Sequence, residues 1–141
     1  MKILVSACLL GTPCRYDAKS KPDACVIALS KKHELIPVCA EVLGGLPTPR
    51  IPSEIVGEKV INREGVDVTD EYHKGAQRVL DIAIENGCKI AILKSKSPSC
   101  GRDEIYDGSF TRTLTQGNGI CAGLLMKNGI TILNEKEIDK I

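Results

Sequence analysis

Aromatic residues are scarce in this chain: three tyrosines, one phenylalanine and no tryptophan among 141 residues. Charge is nearly balanced, with 19 Lys and Arg against 18 Asp and Glu for a formal net charge of +1, and no basic block stands out. A surface for polymeric nucleic acid needs clustered cations interleaved with stacking aromatics, so the composition argues against that partner. Long apolar runs are missing as well, and no segment approaches the roughly 18 apolar residues of a membrane span. The opening MKILVSAC places only Ile3, Leu4 and Val5 before its small residues, where a secretory signal needs an apolar stretch of roughly 7 to 15. Repeats, low-complexity tracts and interdomain linkers are absent. The expectation is one cytoplasmic domain over residues 1–141 with no membrane partner. A domain of that size buries on the order of 70% of its unfolded surface and needs no covalent staples.

Cysteine is nevertheless abundant: Cys8, Cys14, Cys25, Cys39, Cys88, Cys100 and Cys121. No two of them form a CxxC pair, which argues against a structural zinc site with its closely spaced ligands. An odd count without a secretion signal argues for thiols or metal ligands rather than a disulfide framework.

Four short runs rich in Ile, Val and Leu, at residues 2 to 6, 34 to 38, 89 to 94 and 130 to 133, predict strands covered on both faces, hence a parallel sheet. Between the first two, Pro22 and Asp23 suit a helix start, and Ala24, Cys25, Ile27, Ala28 and Leu29 are predicted to face the sheet. The clearest helix is TDEYHKGAQRVLDIAIENG, with Thr69 as its cap, Tyr72, Ala76, Val79, Leu80, Ala83 and Ile84 on one face, and Gly87 at its end. A third helix runs from about Gly119 to Lys127 and closes at Asn128 and Gly129. The alternation predicts an α/β fold: a three-layer α/β/α, Rossmann-like domain with a mainly parallel sheet. Two insertions interrupt it. LGGLPTPRIPSE reads as an ordered loop followed by a small hairpin, EKVIN and GVDVT, turning at Arg63 to Gly65. EIYDGSFT carries a second hairpin signal at Asp107 and Gly108.

Ligands of open parallel sheets bind beyond the carboxyl ends of the strands. Cys8, Cys39 and Cys100 each lie at or just past such an end, so they are predicted to converge although the chain separates them widely. Soft thiolates select zinc, copper(I) or iron–sulfur clusters. A cluster held by three cysteines leaves one iron free to bind substrate as a Lewis acid. Cys14, in the loop after Cys8, is open to several roles: a fourth ligand, a resolving thiol, or an inert group. Cys25, Cys88 and Cys121 read as core packing.

Glu41, two residues past Cys39, is placed over the same crevice as a proton donor or base. Ser95, Ser97 and Ser99 flank Cys100 and either orient a substrate or simply build the turn. Arg15 and Asp17 read as loop charges, with Asp17 retained as a substrate-binding candidate beside Ser99. GNGICAG matches the glycine spacing of a dinucleotide fingerprint, but no strong buried strand precedes it, so it reads as a helix start needing a tight turn.

SACLLGTPCRYD, PVCAEVLGGLPTPRIPSE, GVDVT, KGA, ILKSKSPSCG, IYDGSF and GNGICAGLL occur in order over nearly the whole chain. Together they resemble the family, first defined as a domain of unknown function, that includes the thiouracil desulfidases. Two positions depart from its pattern: Ala40 stands where the family often has proline, and Ala18 where it often has glycine. The resemblance implies an oxygen-sensitive [4Fe-4S] cluster held by Cys8, Cys39 and Cys100, with Glu41 and Ser97 as catalytic side chains. It also implies a small-molecule substrate, a thiolated pyrimidine base such as 2-thiouracil, that loses sulfur and gains oxygen. Two other uses of such a site remain open: a cluster-dependent sulfur transferase, and a non-catalytic iron–sulfur or metal-binding sensor whose shell Cys14 would close.

Overall fold

The computed structural model describes residues 1–141. In chain order the elements are β1 (Lys2–Ser6), a 3-10 turn (Ala7–Leu10), α1 (Ala24–Ala28), β2 (Glu34–Val38), α2 (Ala40–Leu43), β3 (Ser53–Val56), β4 (Lys59–Asn62), α3 (Thr69–Glu85), β5 (Ile90–Ile92), β6 (Glu104–Tyr106), β7 (Leu114–Gln116), α4 (Ile120–Lys127) and β8 (Thr131–Leu133). The four expected strands form one fully parallel sheet in the order β2-β1-β5-β8.

Alternation along β1 divides the core between two faces. Leu4 packs with Ala76, Val79, Leu80 and Ala83 of α3 and Leu125 of α4. Ile3 and Val5 pack with Ile92, Leu9 and Val26 on the other side. Each such aliphatic side chain, fully removed from water, contributes roughly 1.5–3 kcal/mol. The domain therefore has the expected three layers, although the second helical layer is thin.

That thinness corrects the reading of α1. Asp23 does cap it, accepting from the N–H groups of Cys25 and Val26 at 3.0 and 3.1 Å. With only five helical residues, however, Val26 alone is fully buried, and Leu29 at the helix end packs partly buried against the same cluster; Cys25 and Ile27 are exposed, so Cys25 is not a core residue. Cys88 and Cys121 are buried as expected. Two details of α3 also differ. Thr69 does not cap it; its hydroxyl accepts from Val60 N–H on β4, while Asp67 accepts from Thr69 N–H. Ile84 points to solvent.

Both insertions are hairpins, with different partners from those the sequence suggested. β4 pairs antiparallel with β3, which begins in the last two residues of the expected loop, whereas GVDVT contributes only a single bridge, Ile61 to Asp67. β6 pairs with β7, beyond the SFT segment. Helices α2 and α3 meet backbone to backbone. A Cβ on Gly75 would lie 1.8 Å from the Ala40 carbonyl oxygen, so only glycine permits this approach.

Candidate active site

In the order β2-β1-β5-β8 the chain passes from β1 to β2 on one side and then from β2 back across β1 to β5 on the other, so the crevice beyond the carboxyl ends of β1 and β5 is the topological switch point. A cavity of about 360 Å³ opens there, bounded by the sheet ends and both hairpins. A second depression, lined by residues such as Met1, Lys2 and Glu34, lies at the opposite ends of the strands and contains no cysteine.

The three strand-end cysteines converge on the crevice. Cys8 lies in the 3-10 turn after β1, Cys39 between β2 and α2, and Cys100 in the turn following β5; all three line the cavity, as does Cys14. The hydrogen bond with Cys14 lowers the Cys8 thiol below its ordinary range, outweighing burial and the charges of Cys100 and Cys39. Cys14 itself is raised: its bond with Cys39 lowers it, but its bond with Cys8 and burial together outweigh that. Cys39 is raised by its hydrogen bond with Cys14 and by burial, and it donates to the Cys14 carbonyl at 3.8 Å. Burial pushes Cys100 up to about 12, against the opposing effect of Ser6, whose hydroxyl donates to Cys100 Sγ at 3.6 Å.

This donor set fits an iron–sulfur cluster. The Cys14 hydrogen bond and burial raise Cys39, burial raises Cys100, and a soft cationic core is what turns such neighbouring thiols into thiolates together. No three His, Cys, Asp or Glu side chains close on a single-ion site, which disfavours one tetrahedral zinc.

Glu41 sits in the first turn of α2 and lines the cavity. Its Oε2 accepts from Arg50 Nε at 2.6 Å, and Arg50, its side chain only 6% exposed, also donates from Nη2 to the Cys14 carbonyl at 3.0 Å. Burial alone would lower the Arg50 pKa; the Glu41 carboxylate outweighs it and holds the guanidinium above its ordinary value. Arg50 and the buried Tyr72, whose hydroxyl is raised by burial and then by Glu41, were not legible as site residues. Arg50 stands in a proline-rich loop, and Tyr72 carries the pattern of a core-facing helix position.

Ser97 lines the cavity, and its Oγ accepts from Ser99 N–H at 3.0 Å and Cys100 N–H at 2.8 Å, fixing the turn that presents Cys100. Ser95 lines it too, its hydroxyl donating to Glu135. Ser99 does not reach the cavity. It is 1% exposed, and its carbonyl accepts from Cys121 and Ala122 N–H at the start of α4, close against Gly119. Asp17 does not reach it either; its carboxylate accepts from Lys19 N–H in a local turn. The GNGICAG segment is thus the tight helix start that the sequence suggested, with Gly119 as the cap.

The cavity is strongly cationic. Arg15, Arg50, Arg63, Lys94, Lys96 and Arg112 line it, against the carboxylates of Glu41 and Glu54. Arg50 is paired with Glu41 and Lys94 with Glu135, while Arg15, Arg63, Lys96 and Arg112 form no ion pair.

A parallel α/β sheet whose switch-point crevice carries convergent thiols, a carboxylate and a serine defines a class: an enzyme domain built for soft-metal chemistry on a small molecule. The chain belongs to the 2-thiouracil desulfurase family, whose model matches residues 3–137. It is 37% identical to the uncharacterized protein YbbK of Bacillus subtilis (strain 168), over 99% of both chains. It also matches the solved structure of the [4Fe-4S]-dependent thiouracil desulfidase TudS, at 42% identity and a TM-score of 0.94, covering 99% of this chain and 93% of that one. No helix is long and apolar enough to cross a membrane.

Proposed function

We propose that this chain is a [4Fe-4S]-dependent desulfidase that converts the thione of a thiolated pyrimidine base to a carbonyl and releases hydrogen sulfide. The observation that carries the reading is the convergence of Cys8, Cys39 and Cys100 on one cavity with Glu41 and Ser97. Cys8, Cys39 and Cys100 are the cluster ligands in this reading. A bound cluster supplies an iron without a cysteine ligand, a Lewis acid for the thione sulfur. Glu41 takes a proton from the water that attacks the thione carbon and delivers it to the departing sulfur. Arg50 holds that carboxylate in place. Ser97 already accepts two backbone N–H bonds, so its own O–H is the donor left to orient the base. Water enters and hydrogen sulfide leaves, so no external reductant is needed. Such thiol chemistry suits the reducing cytoplasm, where we place the protein.

A second substrate reading rests on charge. Four cations without carboxylate partners favour a substrate with an anion attached to the thiolated base, such as the monophosphate of the nucleoside.

Anaerobic reconstitution with iron and sulfide, followed by quantification of uracil and sulfide released from 2-thiouracil, tests the proposal. About four irons per chain are expected. Iron is lost in Cys8→Ala, Cys39→Ala and Cys100→Ala and kept in Cys14→Ser, whereas Glu41→Ala keeps iron and loses turnover. Iron lost in Cys14→Ser would instead point to a closed shell and a sensor.

A further inference from the structure

The mechanism leaves one buried carboxylate without a task. Glu54, on β3, is 7% exposed and lines the cavity, yet it pairs with none of the surrounding cations. Its Oε1 accepts instead from two backbone N–H groups of the other hairpin, Gly108 at 3.0 Å and Phe110 at 3.2 Å. Gly108 is pressed against β3: a Cβ there would lie 2.8 Å from the Ile55 carbonyl oxygen.

The loop held in this way, residues 107 to 113, is strained. Phe110 and Arg112 both adopt left-handed backbone conformations, φ 59° and 60°, although neither is glycine. Conformations of this kind persist only where surrounding structure imposes them, and they gather at functional sites. Hydroxyls of Ser109, Thr111 and Thr113 brace the loop from within, and the Arg63 guanidinium lies 6.0 Å over the Phe110 ring. The outcome is that Arg112 stands at the cavity mouth with no acidic partner. An apolar residue at position 54 would tie two hairpins together without burying a charge. A carboxylate that accepts from the loop's own amides fixes its backbone.

We propose that Glu54 is a positioning residue: it clamps the 107–113 loop over the cavity and fixes Arg112 where the substrate's anionic group enters. The clamp stands on geometry alone; its effect on substrate rests on the desulfidase reading.

The experiment compares reconstituted wild type, Glu54→Ala, Glu54→Gln and Arg112→Ala with 2-thiouridine 5′-monophosphate as substrate, and reads hydrogen exchange over residues 107–113. Glu54→Ala is expected to raise KM about tenfold, as fits loss of a charge-assisted bond. It leaves kcat and iron content near wild type and deprotects the Gly108 and Phe110 amides. Glu54→Gln keeps an acceptor oxygen and restores both readings. Arg112→Ala reproduces the rise in KM without the change in exchange. Amides that stay protected in Glu54→Ala overturn the clamp, and deprotected amides with unchanged KM overturn its role in positioning. A wild-type protein that binds iron but desulfurates nothing overturns the desulfidase reading, and the exchange pattern then still decides the clamp.

Discussion

Arg50 donates from Nε to Oε2 of Glu41 at 2.6 Å and, with the other side of its guanidinium, to the carbonyl of Cys14 at 3.0 Å. One side chain thus fixes the Glu41 carboxylate, the proton carrier in the proposed reaction, relative to the loop that carries a cavity thiol. Removing it leaves a carboxylate and a carbonyl without their charged donor, a loss of about 1–3 kcal/mol. Arg50→Ala is expected to lower kcat by about ten- to a hundredfold with iron content unchanged. Arg50→Lys, a point charge that cannot keep the forked geometry, should recover only part of it. Wild-type kcat in Arg50→Ala would contradict this role.

The close approach of α2 and α3 makes a steric prediction. Gly75→Ala drives a methyl into the Ala40 carbonyl, and Gly44→Ala does the same against Glu71, where the gap is 2.0 Å. Overpacking against backbone costs about 3 kcal/mol, measurable by urea unfolding. Because Ala40 adjoins Glu41, turnover should fall further than stability alone explains. Gly123→Ala is the control: its added Cβ meets only Asn118 Cβ, at 3.9 Å, and helix propensity should make it neutral or slightly stabilising.

Ser6 lines the cavity beside Cys100, accepting from Lys94 N–H at 3.0 Å and donating to Cys100 Sγ at 3.6 Å. With Cys100 as a cluster ligand, as proposed, a hydrogen bond to its sulfur favours the more negative, reduced state of the cluster. Ser6→Ala should therefore shift the reduction potential downward at constant iron content. Potentiometric titration followed by electron paramagnetic resonance reads this directly, and an unshifted potential would count against it.

The bare protein should lose stability in alkali. Burial raises the Cys100 thiol from 9.0 to about 12, so above pH 9 the unfolded chain releases this proton while the native state keeps it. The contribution is intact below about pH 9 and drains away as pH rises toward 12. The slope is about 1.4 kcal/mol per pH unit for each extra proton held by the native state. Denaturant unfolding of the metal-free protein from about pH 8 to 11 should show a steeper decline for wild type than for Cys100→Ala. Equal slopes would refute the assignment.

The sheet was legible because its strands are short apolar runs, Ile3 to Val5 above all, that make sense only when both faces are covered. The thiol site was legible for the same reason: parallel strands align their carboxyl ends, so Cys8, Cys39 and Cys100 had to share an edge. What could not be read depended on distant partners. β3 is hidden because it is short, follows prolines and carries a charged Glu54, and the task of that side chain is hidden because its hydrogen-bond partners lie more than 50 residues further along. Ser97 and Ser99 differ by two positions in one turn, yet one faces the cavity and the other faces α4. In α1 the apolar Cys25 and Ile27 suggest a wider buried face than the helix has, because five residues are too few to bury more than Val26.

The placement of the three cysteines also bears on how the protein survives. Positions 8, 39 and 100 sit at the ends of three different strands, so a group bound to all three ties together segments that only packing otherwise holds. Its binding energy becomes folding energy, and because it joins segments far apart in sequence it closes long loops, where such a clip stabilises most. With the three cysteines as cluster ligands, as proposed, iron supply would act on the protein's lifetime as well as on its catalysis. Cells short of iron or exposed to oxygen would hold a looser, more protease-sensitive chain, and the number of molecules would fall together with the activity of each.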